Sequence, residues 1–79
     1  MQVEITVFAT LRRYMPDLPV GGSRQIEVQH GATIGEVMHL LELPPEEVKV
    51  VMRNHRHAEL DETVNEGDRI AFIPAVAGG

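Results

Sequence analysis

One stretch of the sequence carries its own start signal, its own stop signal and a helical period, and almost everything around it alternates. That stretch is "GATIGEVMHLLELPP", residues 31–45. Thr33 and Glu36 stand three apart, the spacing of a capping box, in which hydroxyl and carboxylate each satisfy a free backbone N–H at a helix start. Ile34, Val37, Met38 and Leu41 follow at helical spacing, and Pro44-Pro45 stops the run. The expected helix covers about residues 34–42. A lone helix with one apolar stripe must bury that stripe, and a small mixed sheet is the partner that short flanking strands can build.

The flanks supply those strands. In "QVEITVFA", Val3, Ile5 and Val7 fall on one side and Gln2, Glu4 and Thr6 on the other, the period of a half-buried strand. Phe8 breaks the pattern by falling on the polar side. "TLRRYM" is expected to form a helical turn, and "PDLPVGGS" a loop. "RQIEVQ" reads as a short strand with Ile26 and Val28 inward. After the helix, a strand is expected near residues 48–53. "NHRHAEL" reads as a turn and a short return strand, and "DETVNEGD" as turns in which Gly67 supplies a permissive φ. "RIAFI" is the last strand, with Ile70 and Phe72 on one parity. The order β-β-α-β-(β)-β with a single helix predicts an α+β chain of the β-grasp type. In it a mixed sheet of four to five strands has the helix on one face and the first and last strands adjacent in the middle. Residues 1–73 are expected to form this domain, and residues 74–79 a flexible C-terminal tail.

Composition narrows the chemistry. The chain has 79 residues and no cysteine, so one core without disulfides must hold it, and no thiol serves as nucleophile or ligand. Acidic residues outnumber basic ones 12 to 7, which argues against nucleic acid and for an acidic carrier that docks on basic enzymes. No apolar run reaches membrane-spanning length, and the start lacks the charged-then-apolar pattern of a signal peptide. The expectation is a cytoplasmic protein with neither a nucleic acid nor a membrane partner.

The tail "IPAVAGG" is the most unusual feature, since a terminal Gly-Gly arises by chance on the order of one chain in 200. Pro74 cannot donate to a sheet and ends the last strand. Ala75, Val76, Ala77, Gly78 and Gly79 are then expected to extend away from the domain. Without Cβ atoms the last two residues can thread a narrow channel and bring a terminal carboxylate to a nucleotide phosphate. Internal Gly21-Gly22 is the same dipeptide in a loop, where turn formation explains it. Four histidines do not make a metal site: His55 and His57 share a side if that stretch is extended, but two ligands leave a tetrahedral site incomplete. Glu42, Glu46 and Glu47 read as a solvated face. If the first and last strands are neighbours, Phe8, Ala71 and Ile73 form an apolar patch on the open sheet face, and such a patch marks an interface.

"VFATLRRY" after the first strand, "GATIGEVMHLL" at the helix and "NEGDRIAFIPAVAGG" at the end together resemble the MoaD/ThiS family of ubiquitin-like sulfur carriers over nearly the whole chain. The resemblance implies a mechanism. A ubiquitin-activating-type enzyme uses ATP to adenylate the carboxylate of Gly79. Sulfur then displaces AMP, and the resulting thiocarboxylate delivers sulfur to a biosynthetic acceptor. The chain itself is then no catalyst, binds no cofactor and needs no metal. "FIPAVAGG" resembles the small subunit of molybdopterin synthase, with Pro74, Val76, Gly78 and Gly79 matching. That implies a tail that enters the large subunit and a patch around Phe8 and Ile73 that docks on it. "ELPPEEV" is short for that branch and closer in length to the thiamine-pathway carriers. Those carry Val-Asn-Gly where this chain reads "MRNHRH". Two alternatives accompany the molybdopterin reading: a carrier for thiamine thiazole formation, and a ubiquitin-like modifier of lysines.

Overall fold

A computed structural model describes residues 1–75. Five strands and one α-helix follow the expected order: β1 (Gln2–Val7), β2 (Arg24–Glu27), α1 (Ile34–Leu40), β3 (Val50–Arg53), β4 (Arg56–Ala58) and β5 (Arg69–Ile73). The strands form a single sheet in the order β2-β1-β5-β3-β4. β1 and β5 are parallel and central, with Ile5 opposite Ile70 and Val7 opposite Phe72. All other pairings are antiparallel. This is the β-grasp, ubiquitin-like fold, with α1 on one face.

The capping box at α1 forms as the spacing requires. The Glu36 backbone N–H donates to Thr33 Oγ1 at 3.1 Å, and the Thr33 N–H to Glu36 Oε1 at 2.9 Å. The far end differs from expectation. α1 stops at Leu40, before the prolines, because Glu42 turns left-handed at φ 59°. The Leu43 N–H then reaches back to the Met38 carbonyl at 3.1 Å and the Glu42 N–H to that of His39 at 2.9 Å. These two bonds are a Schellman closure, and buried Leu43 and Met38 supply its apolar contact.

The core lies between α1 and the inner sheet face. Val3, Ile5, Val7, Val51, Ile70 and Phe72 come from the strands, and Ile34, Val37 and Met38 from α1. Leu11, Met15 and Leu18 fill one end from the 3₁₀ turn over Ala9–Tyr14 and the loop after it. That loop is therefore part of the core, although its Pro and Gly content marks it only as a connection. Ile26 and Leu41 are half-buried rather than buried. β3 begins two residues later than expected, since Pro45–Glu47 form a second 3₁₀ turn. No helix among the described residues is long and apolar enough to cross a membrane.

Candidate docking face and C-terminal exit

The pleat decides which residues share the face opposite α1. Ile5, Val7, Ile70, Phe72 and Val51 point into the core, so their neighbours in sequence point out. Register lines those neighbours up: Thr6 is opposite Ala71, Ala71 opposite Met52, Met52 opposite His57, and Ile73 opposite Val50. The parallel pairing continues one residue beyond β1, where the Phe8 N–H donates to the Phe72 carbonyl at 3.1 Å. Phe8 is 44% exposed there. Phe8, Met52, His55, Arg69, Ala71 and Ile73 line one shallow depression of about 470 Å³.

Phe8, Ala71 and Ile73 are thus brought together as the parity argument expects. Met52 and His55 complete the depression, and the parity argument for the first and last strands does not reach them. Met52 carried a usable signal, because it sits on the outward parity of its own strand. The depression has an apolar end and a polar end. At the polar end the Arg69 guanidinium stands 3.8 Å from the Glu4 carboxylate, a loose pair. At the far edge of the sheet the Glu27 carboxyl is held below the usual carboxylate range. The cause is first the hydrogen bond from the Met1 amine, then that from Gln2.

Two backbone devices frame the face. Ala9 at φ 52° turns the chain sharply after Phe8 into the 3₁₀ turn. At the opposite corner Asn54 (φ 53°) and His55 (φ 70°) form the two-residue hairpin between β3 and β4. Asn54 is pinned from several directions. Its amide donates to Asp68 Oδ1 at 2.9 Å, its side-chain oxygen accepts from the Arg69 N–H at 2.9 Å, and its own N–H donates to the Arg69 carbonyl at 2.9 Å. Asp68 is the one buried charged residue among those described, and its other oxygen accepts from the Asn65 N–H at 2.7 Å. The "EGD" turn is therefore a structural anchor: Gly67 at φ 81° lets the chain reverse while its N–H donates to the Gln2 carbonyl at 2.8 Å.

Other sequence readings change. His55 lies in the left-handed turn, so it does not form an extended run with His57. Among the described residues no three His, Asp or Glu side chains gather around a common point. Glu47 is not simply solvated; it accepts from Arg13 Nη2 at 2.8 Å and from the Tyr14 hydroxyl at 2.7 Å, tying the two 3₁₀ turns together. Pro74, placed at the start of the tail from sequence, is buried, while Ala75 is exposed. Among the described residues, burial thus continues one residue past β5. Val76, Ala77, Gly78 and Gly79 lie outside the described residues.

A family model described as the ThiS family matches residues 5–79. The chain belongs to the ThiS family. No curated protein matches it significantly in sequence. Among solved structures, this ThiS-family chain is similar to SAMP1, small archaeal modifier protein 1, from Haloferax volcanii. The identity is 25%, the TM-score 0.78 and the coverage 100% of both chains. It is similar to a chain of the Amycolatopsis orientalis BexX/CysO complex at 26% identity and TM-score 0.62, covering 98% of this chain and 99% of that one. It also shares its fold with a chain of the Helicobacter pylori complex of subunits 1 and 2 of molybdopterin-converting factor. There the identity is 20%, the TM-score 0.65 and the coverage 100% of both chains. The ThiS-family chain has the ubiquitin-like fold of the sulfur carriers.

Proposed function

We propose that the chain is a sulfur carrier whose reactive atom is the carboxylate carbon of Gly79, serving molybdopterin formation as the small subunit of its synthase. The observation that carries this reading is the extent of the family match. It runs from Ile5 through residue 79 and so takes in Gly78-Gly79 with the fold.

A free carboxylate resists sulfur nucleophiles, because its charge repels them and its oxygen leaves poorly. In the proposed sequence a Gly79 carboxylate oxygen attacks the α-phosphorus of ATP on a ubiquitin-activating-type enzyme, and pyrophosphate leaves. A persulfide's terminal sulfur then attacks the acyl carbon, and AMP leaves with the former carboxylate oxygen. A second thiolate cleaves the remaining S–S bond, is itself oxidised to a disulfide, and frees the thiocarboxylate. This chain supplies no acid, base or metal; it supplies a narrow tail and a docking face. Alignment of the carboxylate with the phosphate is the enzyme's task, and proximity provides much of the rate. The face of Phe8, Met52, Ala71 and Ile73 is read as the surface that meets the large subunit, with the tail entering that subunit's active site. The "FIPAVAGG" ending supports the molybdopterin branch over the thiazole branch.

A second reading, attachment of Gly79 to lysines of other proteins, is favoured by the full-length likeness to a protein named as a modifier. One experiment separates the two. The chain is incubated with ATP, its activating enzyme and a sulfur donor, and intact masses are measured. Exchange of one oxygen for sulfur at the C-terminus supports the carrier. Conjugates of higher mass on other proteins support the modifier. No change, with an enzyme active on another carrier, overturns both.

A further inference from the structure

The last two carbonyls of β5 are held from opposite sides. That of Phe72 accepts from the Phe8 N–H at 3.1 Å, and that of Ile73 accepts from the Lys49 N–H at 2.8 Å. Phe8 is the first residue after β1, and Lys49 the last before β3. Each is continuous with a 3₁₀ turn: Phe8 leads into Ala9–Tyr14, and Lys49 follows closely on Pro45–Glu47. The Glu47 carboxylate joins those two turns. Its Oε1 accepts from Arg13 Nη2 at 2.8 Å and its Oε2 from the Tyr14 hydroxyl at 2.7 Å, across 33 residues of sequence. Among the described residues no other hydrogen bond links the two turns. The result is a closed circuit around the end of β5, where the tail begins. For stability alone such a clasp counts for little. The Glu47 side chain is 31% exposed and that of Arg13 60%, so solvent screens the pair. Buried Leu11 and Leu43 already anchor the two segments in the core.

We propose that Glu47 is a positioning residue for the reaction at Gly79: by clasping Arg13 and Tyr14 it fixes the direction in which Ile73 and Pro74 launch the tail relative to Phe8. This rests on the carrier reading above and concerns one partner, the activating enzyme. Residues 74–79 span at most about 20 Å when extended, so a tilt of about 10° at the root displaces the far end by about 3 Å. The reacting carboxylate oxygen and the α-phosphorus must come within about 3–3.5 Å of each other. An error at the root is therefore corrected on docking, and the ordering that this takes weakens binding. Glu47 touches no reacting atom in this account. It acts through the Phe8 and Lys49 N–H groups, which grip the end of β5.

The test compares Tyr14→Phe, which keeps the ring and removes only the hydroxyl, with Glu47→Ala and the double variant. The full chain is the varied substrate in ATP–pyrophosphate exchange by its activating enzyme. The expected result is a raised KM for the chain in both single variants, about fivefold for Glu47→Ala, with kcat unchanged. The double variant is no worse than Glu47→Ala, because both changes open the same clasp. In the free variants amide hydrogen exchange quickens at Phe8 and Lys49, while the centre of β1 keeps its wild-type protection. A raised KM for Glu47→Ala alone overturns the proposal, because Glu47 then meets the enzyme directly. An unchanged KM in both single variants overturns it at any melting temperature, because the clasp then serves only the fold. Unchanged amide exchange at Phe8 and Lys49 does the same, because the carboxylate then steadies neither. A wild-type chain that supports no pyrophosphate exchange, with an enzyme active on another carrier, refutes the carrier reading itself and this proposal with it.

Discussion

Replacing Phe8 with alanine separates docking from folding. Phe8 is 44% exposed in the free chain. An aromatic side chain presents on the order of 200 Å², so roughly 90 Å² is left for a partner to cover. At about 25 cal/mol per Å² that area is worth about 2 kcal/mol, or some thirtyfold in Kd. The figure matches the lower bound for an interface hot spot. The buried share of the ring contributes to the fold as well, so truncation also costs stability. A fully buried Phe loses about 3–5 kcal/mol on truncation, and a half-buried one about half of that. Phe72, with no exposed surface, is the control for the full loss. The backbone bond from the Phe8 N–H to Phe72 survives the substitution, so the strand pair itself is not cut. Urea melts of Phe8→Ala and Phe72→Ala, with a titration of each folded variant against the large subunit, measure both columns. The reasoning predicts a smaller shift in midpoint for Phe8→Ala than for Phe72→Ala, together with a clear loss of affinity. If Phe8→Ala melts as low as Phe72→Ala and the folded fraction binds like wild type, Phe8 is a core residue and the docking face is misplaced.

Removing Gly79, or replacing Gly78 with a bulky residue, is expected to abolish thiocarboxylate formation without lowering the melting temperature, because Pro74 is the last buried residue among those described. A melt several degrees lower for the truncated chain would show that the tail supports the fold. Pyrophosphate exchange is expected only when the chain and its activating enzyme are both present, and not with a chain whose C-terminus is amidated. Exchange by the isolated chain contradicts the absence of a phosphate-cradling glycine loop or Walker-type motif in the sequence. Thr33→Ala removes one side of the capping box and is expected to cost about 1 kcal/mol, which lowers the melting temperature by about 4–8 °C in a domain of this size. An unchanged melt would mean that tertiary packing alone sets the start of α1.

How far the residues announce the structure depends on the range of the interaction. The start of α1 was legible because a capping box is closed within four residues. Its end was not, because Glu42 takes a left-handed angle that its side chain does not advertise, and the closure depends on Leu43 packing against Met38. The burial of Leu18 was hidden for the same reason, since a loop's composition does not reveal whether it folds back over a core. Strand alternation placed Phe8, Ala71 and Ile73 on one face as soon as β1 and β5 were taken as neighbours. Met52 and His55 joined them only through β3, whose pairing with β5 is set by contacts between residues about twenty apart.

The sequence by itself determined the periods: one amphipathic helix, alternating strands, turns at glycine and proline, and a Gly-Gly ending matched by the ThiS family. These are short-range properties, written wherever side chains a few residues apart must share a face or a backbone must reverse. The tertiary structure alone decided the rest. It aligned Thr6, Ala71 and Met52 in one row, buried Asp68 against Asn54 and Asn65, and drew Pro74 into the body of the domain. It also set His55 in the left-handed turn between β3 and β4, on the rim of the same depression as Arg69. The physical reason is that burial and register are sums over contacts from the whole chain, and no window of a few residues contains them.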